Sequence, residues 1–267
     1  MNPATQLLDD SGPELQIRTP HLNNMQEWLW PLWMGCTDRV FALTGKGGKV
    51  TFTLNGDITW GARYPDQLVS TRPSDQLAIA VANIAPWYEH KNLKHVLLIQ
   101  GTESHEFGAG SAPIAVTDAC RSKYPKVDTT CVKHARPRVQ GLLLDIAHHG
   151  PPPGATVWTD GDALRRYTRN VVLRDVLAGK EPPQVLIRSH FHRGIHETVR
   201  VPCGDRIYVC EAFVLPAFCG LTHYAQQATR SGAELSCGMA AVVVENGAIV
   251  STHEFFHNLD LRTEMEL

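Results

Sequence analysis

Residues 184–193 read QVLIRSHFHR, and the fold is decided by how that stretch ends. Gln184–Arg188 (QVLIR) is a short run rich in strand-forming side chains, and it stops at Ser189. A buried run of this length bounded by polar residues reads as a core strand. Two histidines, His190 and His192, then flank Phe191. Alternate residues of an extended chain share a face, so both imidazoles can reach one centre.

Working outward, the same pattern recurs three more times. Val139–Ala147 (VQGLLLDIA) reads as a strand that runs into His148-His149-Gly150. His95–Gln100 (HVLLIQ) runs into Gly101-Thr102-Glu103-Ser104-His105, and Lys49–Leu54 (KVTFTL) into Asn55-Gly56-Asp57. Between these lie stretches with helical spacing: Asn24–Leu43, Ser74–Trp87 with Pro73 in a tolerated first-turn position, and Gly161–Ala178 with Asp160 as expected N-cap. In that last helix Leu164, Tyr167, Val171 and Leu177 are expected inward and the arginines outward. Arg206–Cys210, Met239–Glu245 and Ala248–His253 read as further strands, the last two joined by Asn246-Gly247, a type I′ hairpin signal. Strand alternates with helix, so the class is α/β. Residues 1–23 are polar and turn-rich and read as an irregular lead-in, with residues 24–267 forming one domain.

The bulk properties narrow the function. Of 267 residues, 43% are hydrophobic and 19% charged, the balance of a folded chain with a large core. A formal net charge of -2 provides no global basic field for nucleic acid. Apolar runs such as Val96–Ile99 and Ala240–Val244 are too short to span a bilayer, and the first residues lack the basic and apolar regions of a secretory signal. Seven scattered cysteines without a CxxC pair read as reduced thiols, which places the chain in a cytoplasm.

The distinctive count is 13 histidines. In open α/β sheets ligands bind beyond the carboxyl ends of the strands, and here four strand ends carry carboxylate or imidazole. Such mixed Asp, Glu and His donors suit Mn, Fe, Zn or a related divalent ion.

These blocks, in this order, resemble the calcineurin-like metallophosphoesterases, whose signature runs DxH, GDxxD, GNH(D/E), a histidine before glycine, and GHxH. Positions 49–57, 95–106, 139–150 and 184–192 match the last four. NGD, GTESH, DIAHHGPP, ALRRYTRNVVL and PPQVLIRSHFHR resemble a phage-encoded branch, over roughly residues 25–220. The resemblance implies two mixed β-sheets packed face to face with helices outside. It implies Asp57 as a carboxylate shared by two ions, Glu103, His149 and His190 as ligands of the second, and His192 as a ligand of the first. His105 takes the role of the catalytic histidine that protonates the leaving oxygen. The implied reaction is attack of metal-bound hydroxide on a phosphodiester or phosphomonoester, a nucleotide or nucleic acid among the substrates. Manganese is the expected ion, with Zn, Fe, Ni or Mg as substitutes.

Three departures matter. Ser104 separates Glu103 from His105, and Ser189 stands where the family has glycine. The opening DxH is missing: no Asp-x-His precedes Asp57, so the first strand and two ligands are expected to be lost. That predicts one well-held ion instead of two and weakened turnover, with a non-catalytic metal-binding or assembly protein as the alternative. An edge left open by a lost strand also predicts pairing with a second copy of the chain. Trp28, Trp30 and Trp33 read as helix packing, Arg165, Arg166, Arg169 and Arg174 as a solvated face, and His223, His253 and His257 as surface or packing residues; His196 lies just past the last metal block, with substrate contact an open alternative to which no role is assigned.

Overall fold

The computed structural model describes residues 1–267 apart from 11, 66, 67, 155, 221–233, 261, 263, 264, 266 and 267. His223 therefore lies outside the described residues. The chain divides into two compact units, Met1–Lys133 and His134–Leu267.

The first unit opens with a short antiparallel ladder, β1 (Leu7–Asp9) against β2 (Gln16–Arg18), so the lead-in is not wholly irregular. Helix α1 (Asn24–Ala42) starts at a capping box: the Asn23 side chain accepts from Gln26 N at 2.9 Å while Gln26 Oε1 accepts from Asn23 N at 3.1 Å. Strand β3 (Val50–Asn55), helix α2 (Pro73–Tyr88), strand β4 (Leu93–Ile99), helix α3 (Ser111–Lys123) and strand β5 (Asp128–Val132) follow. The strands form a parallel sheet in the order β3-β4-β5. Phe52 of β3 stacks on Trp87 of α2 at 3.8 Å between centroids, and Trp33 of α1 meets both rings edge-on. Trp33 is thus core packing, whereas Trp28 is partly exposed. Helix α3 and β5 have no counterpart in the sequence reading: Ala112, Val116 and Cys120 form an apolar stripe too short and too mixed with polar residues to stand out.

In the second unit, β6 (His134–Ala135) and β7 (Arg138–Val139) pair antiparallel with β8 (Leu142–Ala147). The expected single strand 139–147 is therefore broken: Gln140 (φ 48°) and Gly141 (φ 90°) make a tight turn between β7 and β8. Helix α4 (Asp162–Leu177) leads to β9 (Val185–Arg188), β10 (Ile195–Cys203) and β11 (Arg206–Val214). The sheet order is β10-β11-β9-β8-β6, with β8, β9 and β11 mutually parallel neighbours. One face packs on Leu164, Val171 and Val172 of α4. The other meets a ribbon of β12 (Glu234–Glu245) and β13 (Ala248–Asp260), whose Ala240, Val242, Val244 and Ile249 cover Leu142, Val185 and Phe213. Asn246 and Gly247 both have positive φ, as a type I′ turn requires.

Two expectations for α4 fail. Its N-cap is Gly161, in a left-handed conformation at φ 83°, because Asp160 turns its carboxylate to Arg193 at 2.9 Å. Leu177 is 80% exposed, since it falls in the last turn, beyond the strands that bury Leu164 and Val171. No helix of the described residues is long and apolar enough to cross a membrane.

Candidate metal centre

Strands β8 and β9 lie side by side and parallel, in register Leu144↔Val185 to Ile146↔Ile187, so their polar tails leave the sheet at the same edge. Ser189 N donates to the His148 carbonyl at 2.9 Å and carries the pairing one step past both strands. Three imidazoles meet there. One donor nitrogen from each of His148, His149 and His190 lies within 4.8 Å of the others. The ring planes stand at 71–78° to one another, so each ring meets its neighbours edge to face. His148 is buried, His190 half-buried and His149 exposed.

The donor set fits a divalent transition ion. His190 Nδ1 lies 3.3 Å from His148 Nε2. Two nitrogens at about 2.0–2.1 Å from a tetrahedral ion stand about 3.3–3.4 Å apart, so this pair already has the spacing of a ligated edge. The same spacing lets one imidazole donate to the other when no ion is held. His148, beside which the sequence reading chose His149, thus joins the group that could hold an ion; two adjacent histidines at a strand end were its signal.

The backbone gives an independent mark. Among the described non-glycine residues six have positive φ, and three of them are Asp57 (52°), His190 (80°) and His192 (53°). Left-handed backbone costs a histidine about 1–3 kcal/mol and persists where the surroundings impose it, commonly at ligand clamps. It also corrects the reason given for His190 and His192: both lie past the end of β9, and a twisted loop, not strand alternation, places them.

Beneath the cluster sits a buried ion pair. Arg188, 1% exposed, donates to Asp145 Oδ1 at 2.5 Å, to the Asp145 carbonyl at 3.0 Å and to the Tyr167 hydroxyl at 3.1 Å. His134 Nε2 reaches the same Asp145 oxygen at 2.9 Å. Burial alone would raise the Asp145 carboxyl, but the Arg188 charge and the hydrogen bonds from Arg188 and His134 outweigh it and hold it below its ordinary value. Gly150 is required by this packing, because a Cβ there would stand 2.5 Å from Arg188 Cβ. Asp145 precedes His148 by three residues and Arg188 precedes His190 by two, so the pair ties together the two strand ends that carry the histidines.

His192 belongs to a different contact: its Nδ1 lies 3.3 Å from Cys219 Sγ.

The remaining expected residues lie in the first unit. Asp57 follows β3; its carboxylate accepts from Thr102 N at 2.6 Å and from the Thr102 hydroxyl at 3.4 Å. Gly101 permits that approach, since a Cβ would strike the Asp57 backbone and carboxylate. Glu106, fully buried, accepts from Gly101 N and fixes the turn from the other side. His105 is buried with Nδ1 3.0 Å from the Trp60 carbonyl. A carbonyl only accepts, so Nδ1 carries hydrogen and Nε2 is the atom that can take or give a proton. Gln76 holds the facing loop, accepting from Trp60 N and Gly61 N and donating to the Gly61 carbonyl at 2.8 Å. Glu103 is exposed at the tip of the turn.

The chain matches no protein-family profile and no curated protein. Among solved structures it is similar to the sulfate thiohydrolase SoxB of Thermus thermophilus in complex with glycerol, at 13% identity and TM-score 0.37 over 87% of this chain. It is also similar to Vps29 of Entamoeba histolytica complexed with zinc, at 13% identity and TM-score 0.29 over 63% of this chain. The chain spans 42% of the SoxB structure and 83% of Vps29.

Proposed function

We propose that the chain is a metal-dependent hydrolase of phosphoesters, with its ion on His148, His149 and His190. The observation that carries this reading is the convergence of three imidazole nitrogens at the carboxyl ends of two adjacent parallel strands, two of them from His149 and His190, to which the resemblance gives ligand roles. A bound divalent ion supplies Lewis acidity toward a phosphoryl oxygen and lowers the pKa of a water. The protein's part is to hold the three rings edge-on, through the Ser189 to His148 bond and the Arg188–Asp145 pair below them. In the first unit Asp57, its carboxylate oriented by Thr102, keeps the ligand role that the resemblance implies. His105, with Nδ1 committed to Trp60, delivers a proton from Nε2 to the departing oxygen. Glu103 and His192 complete the set of ligands in this reading. A phosphodiester is the preferred substrate class, nucleotide and nucleic acid included.

The test is hydrolysis of a chromogenic phosphodiester by protein loaded with Mn2+ or Zn2+, alongside elemental analysis. Wild type should hold at least one ion per chain. His190→Ala should lose it, and turnover should fall at least ~100-fold in His190→Ala and Asp57→Asn, the scale of losing a charge-stabilising group. Metal-loaded wild type as silent as Asp57→Asn would refute the hydrolase.

A further inference from the structure

Strand β11 is the third parallel strand at the same edge, in register Phe213↔Ile187 and Val214↔Arg188 with β9. The chain leaving β11 therefore emerges beside the loop that carries His190 and His192, and it brings Cys219. That loop is anchored: Ala217 N donates to the Ser236 carbonyl at 3.4 Å and Cys237 Sγ contacts the Cys219 carbonyl at 3.9 Å. Ser236 Oγ also accepts from Gly194 N at 3.1 Å, tying the other loop to the same strand.

The sulfur so placed differs from the core thiols. Cys36, Cys120, Cys210 and Cys237 are buried. Cys219 is half-buried and meets an imidazole nitrogen at 3.3 Å. With metal–nitrogen and metal–sulfur bonds of about 2.0–2.1 and 2.3 Å, ligand atoms on one ion stand about 3.1–3.6 Å apart for angles from a right angle to tetrahedral. The observed spacing falls inside that range.

We propose that Cys219 is a metal ligand, its thiolate sharing an ion with His192. The inference rests on the reading of His192 as a ligand. It adds a donor beside His192, and it changes the metal class. Binding forms the sulfur–metal bond as the thiol proton passes to solvent. A thiolate favours Zn2+, Co2+ or Cd2+ over Mn2+ and Mg2+, which prefer oxygen donors.

Cobalt substitution of the whole chain tests it. Co2+-loaded wild type should show thiolate-to-cobalt charge-transfer absorption in the near ultraviolet. That band should vanish in Cys219→Ser and His192→Ala, and persist in Cys237→Ser. Zinc affinity should fall at least ~10-fold in Cys219→Ser, given that even residues behind the ligands commonly cost that much. X-ray absorption of the zinc-loaded wild type gives a readout free of any variant: a sulfur neighbour at about 2.3 Å is expected. A wild-type spectrum without the band, a band unchanged in Cys219→Ser, or a zinc shell of nitrogen and oxygen alone overturns the proposal. Sulfur ligation without phosphoester hydrolysis would leave it standing and remove the hydrolase; hydrolysis over a sulfur-free shell would do the reverse.

Discussion

Replacing Arg188 by methionine isolates what the buried ion pair does for the strand ends. Methionine keeps most of the alkyl stem and removes a guanidinium that donates to Asp145 Oδ1, the Asp145 and Ile187 carbonyls and the Tyr167 hydroxyl. Asp145 stays 5% exposed, with His134 as its remaining partner at 2.9 Å. Removing one member of a buried pair costs about 3–5 kcal/mol, because the other charge is stranded. At about 2–4 °C per kcal/mol for a chain of this size, the melting temperature should fall by about 6–20 °C. The pH dependence gives the sharper check. In wild type the Asp145 carboxyl lies below its ordinary value, so its contribution is present at neutral pH and is lost as pH falls through that depressed value. Without Arg188, burial is the dominant influence and the carboxyl is raised. The penalty is then full at neutral pH and fades on acidification, as Asp145 becomes neutral. The gap between the metal-free proteins, measured by urea unfolding, should thus be widest near pH 7 and shrink toward pH 4. Adding Asp145→Leu should recover most of the loss. A gap below about 1 kcal/mol at pH 7, or one that widens on acidification, refutes the reasoning.

Two further outcomes follow from close approaches and backbone strain. Gly101→Ala should destabilise by about 2 kcal/mol or more, since its Cβ meets the backbone and carboxylate of Asp57, neither of which can swing away; a thermal scan within a degree of wild type would show that the turn gives. His190→Gly should abolish metal binding yet leave the metal-free protein about 1 kcal/mol more stable than His190→Ala, because only glycine is at ease at φ 80°. Equal stability of the two variants would mean that the loop relaxes.

What the sequence made legible was whatever one local signal could specify. The apolar runs at 49–54, 95–100 and 184–188 announce strands found at 50–55, 93–99 and 185–188, and Asn246-Gly247 announces a hairpin. Helix α3 was illegible because Ser111–Lys123 mixes a narrow apolar stripe with charged and small residues. The tight turn at Gln140-Gly141 was hidden inside a run otherwise apolar enough for one strand. At α4, Asp160 was a sound cap by residue type, but a tertiary partner, Arg193, outcompeted the helix for its carboxylate.

The two residues that the sequence reading did not single out share one cause. His148 and Cys219 are ordinary by sequence: one the less obvious of two adjacent histidines, the other one of seven scattered cysteines. What brings them beside His190 and His192 is the order β8, β9, β11 in the sheet, since the parallel strands discharge their tails at one edge. Strand adjacency depends on pairings between segments about 40 and 25 residues apart, such as Leu144 with Val185 and Ile187 with Phe213, and no local pattern encodes it. The Arg188–Asp145 pair belongs to the same logic. A lone arginine in a predicted core strand reads as an anomaly, and only the register that places Leu186 beside Asp145 turns it into the fastener between the two loops that carry the imidazoles.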